Sequence, residues 1–469
     1  MADSFSIAPV DKLSRSHFAL LAGLALLPGV LSCVFLGRIH PDEIFQTLEP
    51  AFGRVHGYGV VAWEWVDGLR NWAIPLVFAC ILKLCALCGI DHPQAYRAAV
   101  QLPLYLLHLC MLVSVFRWMS RRIPISHAFA MTVLLALSAT VVIYAGHPLS
   151  ESISTAFIVL GFERLDRSAT SKRQGLVAGL LLGFSIIARY ASGVIVIGAL
   201  AWLLFHRRWP VFKGCIIGLL TMASLLGILD FVTWGRPFHS LLRYIEYNVL
   251  SNASAEQFGR EPAFFYVPLL ILTLPLWAWF GIGVSAASGI RRRGHASSPR
   301  VGLPLLSAGL YLLSISITPH KEARFLYPVW ILGMLAGAPA LGMLIARIRL
   351  RAMPGFVYLL ALTAGVASLP YEYDLHSDRL RAIVASTRGQ DVRGLVVIGT
   401  NLWGTGGYFY IGKDVRLLAF TSPDDPALEQ ALNDPTVNRL VTNQVGDANL
   451  VSHDFAKARV VGRYTIYVR

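Results

Sequence analysis

Apolar runs close to 20 residues long recur along the first 370 positions of this 469-residue chain, and they limit its possible folds more than any other feature. A helix rises about 1.5 Å per residue, so a run of about 20 matches the hydrocarbon core of a bilayer. The chain therefore reads as a polytopic α-helical membrane protein. Composition agrees: it is 55% hydrophobic and 14% charged, against roughly 25% charged for soluble globular domains. That balance excludes an ordinary soluble enzyme, a disordered chain, collagen and a coiled coil.

The net charge of +14 is unevenly placed. Residues 372–469 hold eleven basic and eleven acidic side chains, so the first 371 carry 30 basic against 16 acidic groups. The excess falls between apolar spans, at Arg117/Arg121/Arg122, Arg164/Arg167/Lys172/Arg173, Arg207/Arg208/Lys213, Arg291/Arg292/Arg293 and Arg347/Arg349/Arg351. The positive-inside rule explains these as cytoplasmic turns better than nucleic-acid binding does. Placing them all on one side gives about eleven spans: 17–36, 98–116, 125–144, 150–163, 175–188, 191–205, 211–229, 264–290, 302–318, 325–346 and 354–370. Residues 72–90 then lie at the outer interface, the N-terminus is inside, and the first span reads as uncleaved. The six cysteines sit in or beside apolar segments and read as small buried hydrophobes, not as a disulfide framework or a zinc site.

A transmembrane part, 1–371, is thus expected to carry external loops at 37–97, 230–263 and 319–324. In the neutral remainder, 395–398, 416–420, 439–441 and 463–468 read as strands and 426–433 as helix or turn. The glycines of 404–407 read as a tight turn rather than a nucleotide loop, and 372–469 as a small external α/β domain.

The first external loop opens with His40-Pro41-Asp42-Glu43, then Gln46 and Glu49. Pro41 stiffens the approach and holds the carboxylates near the bilayer exit. Trp63-Glu64-Trp65 and Arg70 follow in the same loop. Carboxylates at such a mouth can take a proton from an alcohol, coordinate a cation, or simply be solvated. Far downstream, His320-Lys321-Glu322-Ala323-Arg324 places cations where the positive-inside rule predicts few. They suit a phosphate held at the membrane surface, or anchors at a span end. Arg189-Tyr190 interrupts an apolar stretch and offers a second phosphate contact or a structural hydrogen bond. No metal-ligand spacing, P-loop or G-x-S-x-G occurs. An acid on one loop and cations on another describe group transfer from a phosphate-linked donor, with no soluble nucleotide if that donor is a lipid.

These residues carry a family resemblance. His40-Pro-Asp-Glu-Ile-Phe-Gln46 with Glu49, Trp63-Glu-Trp65 and Arg70 resembles the first lumenal loop of glycosyltransferase family 22, the mannosyltransferases of Asn-linked-glycan and GPI-anchor assembly. His320-Lys-Glu-Ala-Arg-Phe-Leu-Tyr-Pro328 is similar to that family's second signature. Asp230, Trp234-Gly235, Tyr244, Tyr247-Asn248 and Phe258-Gly259 are similar to its middle loop, and the resemblance covers roughly 17–346. It implies a GT-C fold and an inverting, metal-independent transfer of mannose from a polyprenyl-phosphate donor to a lipid-linked or glycan acceptor. No cofactor is implied. Asp42 would be the general base and Glu43 a neighbouring structural or substrate-binding acid. His320, Lys321 and Arg324 would hold the donor phosphate, with Arg189 as the further candidate. His40, Gln46, Glu49, Glu64, Asp230, Tyr247 and Asn248 would face the substrates. Residues 144–151 keep only part of the family's pattern. The plain N-terminus suggests a bacterial inner-membrane protein, its site on the periplasmic (or ER-lumenal) side. A transporter or flippase of lipid-linked sugars is the rival reading; it would place polar groups at the midplane, often within internal repeats.

Overall fold

The computed structural model describes residues 14–36, 39–167, 171–251, 253–291, 302–348, 377–444 and 453–469. The expected span 354–370 lies outside them. Helix α1 (Arg15–Phe35) starts at Ser14, whose hydroxyl accepts the His17 N–H and so satisfies one orphan donor of the first turn. The long first loop is ordered: a π-helical turn (Ile44–Leu48) leads into α2 (Glu49–His56), α3 (Trp63–Val66) and the apolar α4 (Ala73–Leu87). Next come α5 (Pro93–Ser120) and the pair α6 (Ile125–Ala136) and α7 (Ala139–Ala145). They are followed by α8 (Ser150–Arg167), α9 (Lys172–Ala188), α10 (Gly193–Phe205) and α11 (Trp209–Trp234). The second long loop folds into α12 (His239–Ile245), a π-helical turn (Glu246–Leu250) and α13 (Ala253–Phe258). The pair α14 (Tyr266–Thr273) and α15 (Leu276–Arg291), then α16 (Gly302–Ile317) and α17 (Tyr327–Ile348), complete the helical part.

Each expected span among the described residues coincides with helix. Among the described residues four helices are long and apolar enough to cross a membrane, or six if each bent pair counts as one span. Two expected single spans are instead broken, by 64° between α6 and α7 and by 101° between α14 and α15. Pro275 explains the sharper break, because it cannot donate to the helix ladder and keeps Leu274 extended.

Helices α9 and α11 touch backbone to backbone. A Cβ on Gly175 or Gly179 would lie 2.2 or 2.1 Å from the carbonyl oxygen of Val211 or Cys215. Reciprocally, one on Gly214 or Gly218 would lie 2.1 or 2.4 Å from that of Lys172 or Leu176. Such contact substitutes dispersion for the hydrophobic drive that lipid does not supply.

The helices give the molecule two unlike ends. Helix α8 runs from Ser150 to Arg167, about 25 Å at the helical rise. At its C-terminal end Arg121 meets Glu163 at 2.8 Å, Arg122 meets Asp166 at 2.6 Å, and Arg208 donates to the Leu165 carbonyl. Three of the basic clusters thus converge there. Its N-terminal end faces the two long loops.

The C-terminal unit comprises α18 (Ser377–Ser386), α19 (Gly407–Ile411), α20 (Pro426–Asn433) and strands β1 (Gly394–Ile398), β2 (Arg416–Phe420), β3 (Arg439–Thr442), β4 (Ala456–Val461) and β5 (Tyr464–Val468). The sheet order is β2-β1-β3-β5-β4; β1 pairs in parallel with β2 and β3, while β5 pairs antiparallel with β3 and β4. Strand β4 was not expected: it is an exposed edge carrying Lys457 and Arg459, without apolar alternation. The unit docks on the helices through Ser377 to the Phe35 carbonyl, Tyr96 to the Phe409 carbonyl, and Arg97 to the Tyr410 hydroxyl at 3.3 Å.

Candidate active site

A cavity of about 710 Å³ opens between the first loop, the second loop, the turn before α17 and the C-terminal unit. The helical turn after Pro41 places Asp42, Phe45 and Gln46 on one face, at spacings of three and four, and all three line the cavity. Asp42 accepts from Arg324 at 2.6 Å and lies 3.1 Å from His40 Nδ1. Burial favours the neutral acid, but Arg324, His40 and Arg70 outweigh it and hold the Asp42 carboxyl well below the usual range.

Around this pair charges alternate. Arg324 Nε donates to Glu322 at 2.6 Å, and Glu322 also faces His320 at 3.0 Å and His40 at 3.3 Å. Burial would raise the Glu322 carboxyl; His320 and Arg324 bring it down to about 2. Behind them the fully buried Glu151 accepts from Arg189 at 2.6 Å and lies 3.7 Å from Arg324. Both guanidinium groups flank the Phe325 ring, 4.7 and 5.4 Å from its centroid. On the opposite wall Glu64 accepts from Gln46 at 2.9 Å, with Arg70 3.8 Å away; burial outweighs that cation and raises its carboxyl. Trp63 packs on Tyr247 and Phe258, with ring centroids 4.9 and 6.0 Å apart.

Of the residues singled out from sequence, His40, Asp42, Gln46, Glu64, Arg189, Tyr247, Asn248, His320 and Arg324 line this cavity. Four others do not. Glu43 points the other way around its helical turn, taking the Ile39 N–H and sitting 2.5 Å from His147 Nδ1. Lys321 lies before the extended Glu322, so its side chain alternates away from those of His320 and Glu322. Its ammonium instead donates to the carbonyls of Thr318 at 2.6 Å and Glu261 at 2.9 Å. Asp230, expected in the loop, sits in the last turns of α11 and binds Ser240 through backbone N–H and hydroxyl at 2.9 and 2.6 Å. It thereby braces the second loop. Glu49, expected to face substrate, accepts from the backbone N–H groups of Val60, Tyr408 and Phe409 at 2.8, 2.9 and 2.8 Å, joining the first loop to the C-terminal unit.

Sequence reasoning passed over four contributors: Glu151, Glu322, Asn401 and Trp403. Glu322 lies inside a motif already singled out, where strand-like alternation would have marked it as facing the same way as His320. Glu151 has a local sign, an acid opening an apolar helix. Asn401 and Trp403, from the C-terminal unit, carry no local signal. Among the described residues no group of three His, Cys, Asp or Glu side chains has the geometry to hold a metal ion.

The sequence profile of the Alg9-like mannosyltransferase family matches residues 22–378. GPI mannosyltransferase 3 of Yarrowia lipolytica is 27% identical over 313 residues, 64% of this chain and 58% of its own length. GPI alpha-1,2-mannosyltransferase 3 of Xenopus laevis is 26% identical over 326 residues, 62% of this chain and 53% of its own. The chain thus spans little more than half the length of these two curated relatives. Among solved structures, ArnT from Cupriavidus metallidurans bound to undecaprenyl phosphate superposes with a TM-score of 0.62 at 13% identity, covering 97% of this chain and 98% of that one. The arabinofuranosyltransferase AftD from Mycobacteria gives 0.53 at 15% identity, covering 98% of this chain and 40% of that one. These likenesses show the fold: it is the GT-C architecture of integral membrane glycosyltransferases.

Proposed function

The chain belongs to the Alg9-like mannosyltransferase family, and from that premise we propose that it moves mannose from a polyprenyl-phosphate donor to a hydroxyl of a lipid-linked or glycan acceptor, with inversion. The names of the two relatives above support mannose as the sugar, and the undecaprenyl phosphate in the ArnT structure supports a lipid-phosphate donor. The observation that carries the reading is the 2.6 Å pair of Asp42 and Arg324, an acid from the first loop and a cation from a turn 282 residues later, meeting inside one cavity. The polar groups that line the cavity gather at one end of the helices, which favours transfer over transport.

In this reading the acceptor oxygen attacks C1 of the mannosyl group while its proton passes to the Asp42 carboxylate. The bond from C1 to the phosphate oxygen breaks, and the lipid phosphate departs with the electron pair, its charge met by Arg324 and Arg189. Held by Arg324, Asp42 is a weak base. A phosphate drawing that guanidinium away makes Asp42 more basic when the donor is in place. The cavity end lies opposite the converged arginines, which by the positive-inside rule supports a site and a C-terminal unit on the outer side. Guanidinium groups fill the charge-neutralising role, so EDTA should not slow the reaction.

The test offers radiolabelled polyprenyl-phosphate mannose and a membrane-lipid extract to detergent-purified protein in EDTA. Wild type should produce a labelled product; Asp42→Asn should bind the donor yet fall by about 10²–10⁴ in rate. Undiminished transfer by Asp42→Asn would sink the base assignment.

A further inference from the structure

The proposed reaction leaves one wall of the cavity without a role, the wall supplied by the C-terminal unit. Asn401 and Trp403 line the cavity there, the first exposed and the second half-buried. Trp403 meets Phe45 edge to face, ring centroids 4.9 Å apart. Phe45 lies three residues past Asp42 on the same face, and Asp42, Phe45 and Trp403 all line the one cavity. The amide oxygen of Asn401 accepts the Gly404 N–H at 3.2 Å, which leaves its nitrogen side to meet a ligand oxygen.

This turn is held in register by a joint of matched parts. Gly406 and Gly407 take left-handed backbone conformations, φ +82° and +65°, and a Cβ on Gly407 would lie 2.6 Å from the Glu49 carboxylate. The close approach lets Glu49 take the Tyr408 and Phe409 N–H groups directly. Three residues before Gly406 stands Trp403.

We propose that the turn at 401–404 is the acceptor subsite: a sugar ring of the acceptor lays its C–H face on Trp403 and accepts the Asn401 amide N–H through a hydroxyl oxygen, which brings another hydroxyl to Asp42. Glu49 is the positioning residue that holds the turn. This rests on the transfer reading above and names the chemistry of its acceptor side. An indole beside an amide offers an apolar face with a wet rim, which matches a sugar ring. A lipid tail would need an unbroken apolar lining, and an anion would need cations, which stand on the other wall at Arg189 and Arg324. Those cations sit at helix ends, where a phosphate tethered to the bilayer must lie. The 401–404 turn belongs to the unit outside the helices, where an acceptor glycan arrives.

The test measures binding of octyl α-mannoside to the full detergent-solubilised chain by saturation-transfer NMR, alongside turnover with polyprenyl-phosphate mannose. Wild type should bind the mannoside; Trp403→Ala should lose about tenfold in affinity, the worth of one aromatic contact, and Trp403→Phe less. Glu49→Ala should raise the acceptor KM with little change in kcat or donor KM, a split that a general loss of folding would not give. Asp42→Asn should still bind the mannoside while transferring about 10²–10⁴ more slowly, so an error in the catalytic reading shows separately from an error in the subsite. Equal affinity in wild type, Trp403→Phe, Trp403→Ala and Glu49→Ala, or no binding by wild type, would overturn the proposal.

Discussion

At the scale of single residues, the contrast between Arg324 and Lys321 is the sharpest. Arg324 reaches Asp42 and Glu322, whereas Lys321 is spent on carbonyls. Arg324→Ala should lower donor kcat/KM by about 10²–10³. Lys321→Ala should leave donor KM close to wild type and lower the thermal midpoint instead, since it strips a partner from two carbonyls at about 1–3 kcal/mol. Donor titrations run beside thermal unfolding separate the two outcomes. Glu49 gives a pH signature. Burial outweighs its three N–H donors and pushes the carboxyl up to about 7. A native state that holds this proton more tightly than the unfolded chain gains stability as pH falls from about 7 towards about 4.3, and loses it as pH rises through 7. The thermal midpoint should therefore be higher at pH 6 than at pH 8 by a margin that shrinks in Glu49→Gln; an unchanged margin would assign the effect elsewhere. Most of the charged cavity lining was legible because acids and cations in loops between apolar spans are conspicuous. What spacing alone concealed was direction: Glu43 and Lys321 are neighbours of cavity residues and face away for the ordinary geometric reason that adjacent side chains diverge.

Among the elements, the apolar runs within the described residues were legible as helix, because a bilayer demands that backbone hydrogen bonds close within each segment. The bends were not, since an apolar run keeps its composition through a break. Pro275 was the available sign for one of them; the break between α6 and α7 has no proline within it. The tightest joint is α9 against α11, where glycines at intervals of four (Gly175, Gly179 and Gly183; Gly214 and Gly218) let backbones meet. Gly179→Leu should force them apart, at a cost of about 1–3 kcal/mol or more. Because α9 ends at Arg189, the change should also lower transfer activity in the fraction that stays folded. Unfolding in detergent and single-turnover assays would show both effects.

Over the whole molecule, the cavity is assembled from segments hundreds of residues apart. Asp42, Arg189, Tyr247, Arg324 and Trp403 all line it, and no local pattern announces such a meeting. The α/β character of the C-terminal unit was legible from its strands, but its place as a wall was not. That wall has a consequence for how the protein is made. A ribosome delivers the acid-bearing loop near residue 42 early and the Trp403 turn some 360 residues later, at about 5–20 residues per second. For tens of seconds a nascent chain already lodged in the bilayer carries its acid-bearing loop without the wall that completes the cavity. Its own order of synthesis acts as a safety catch, released when the last segment folds down against Glu49.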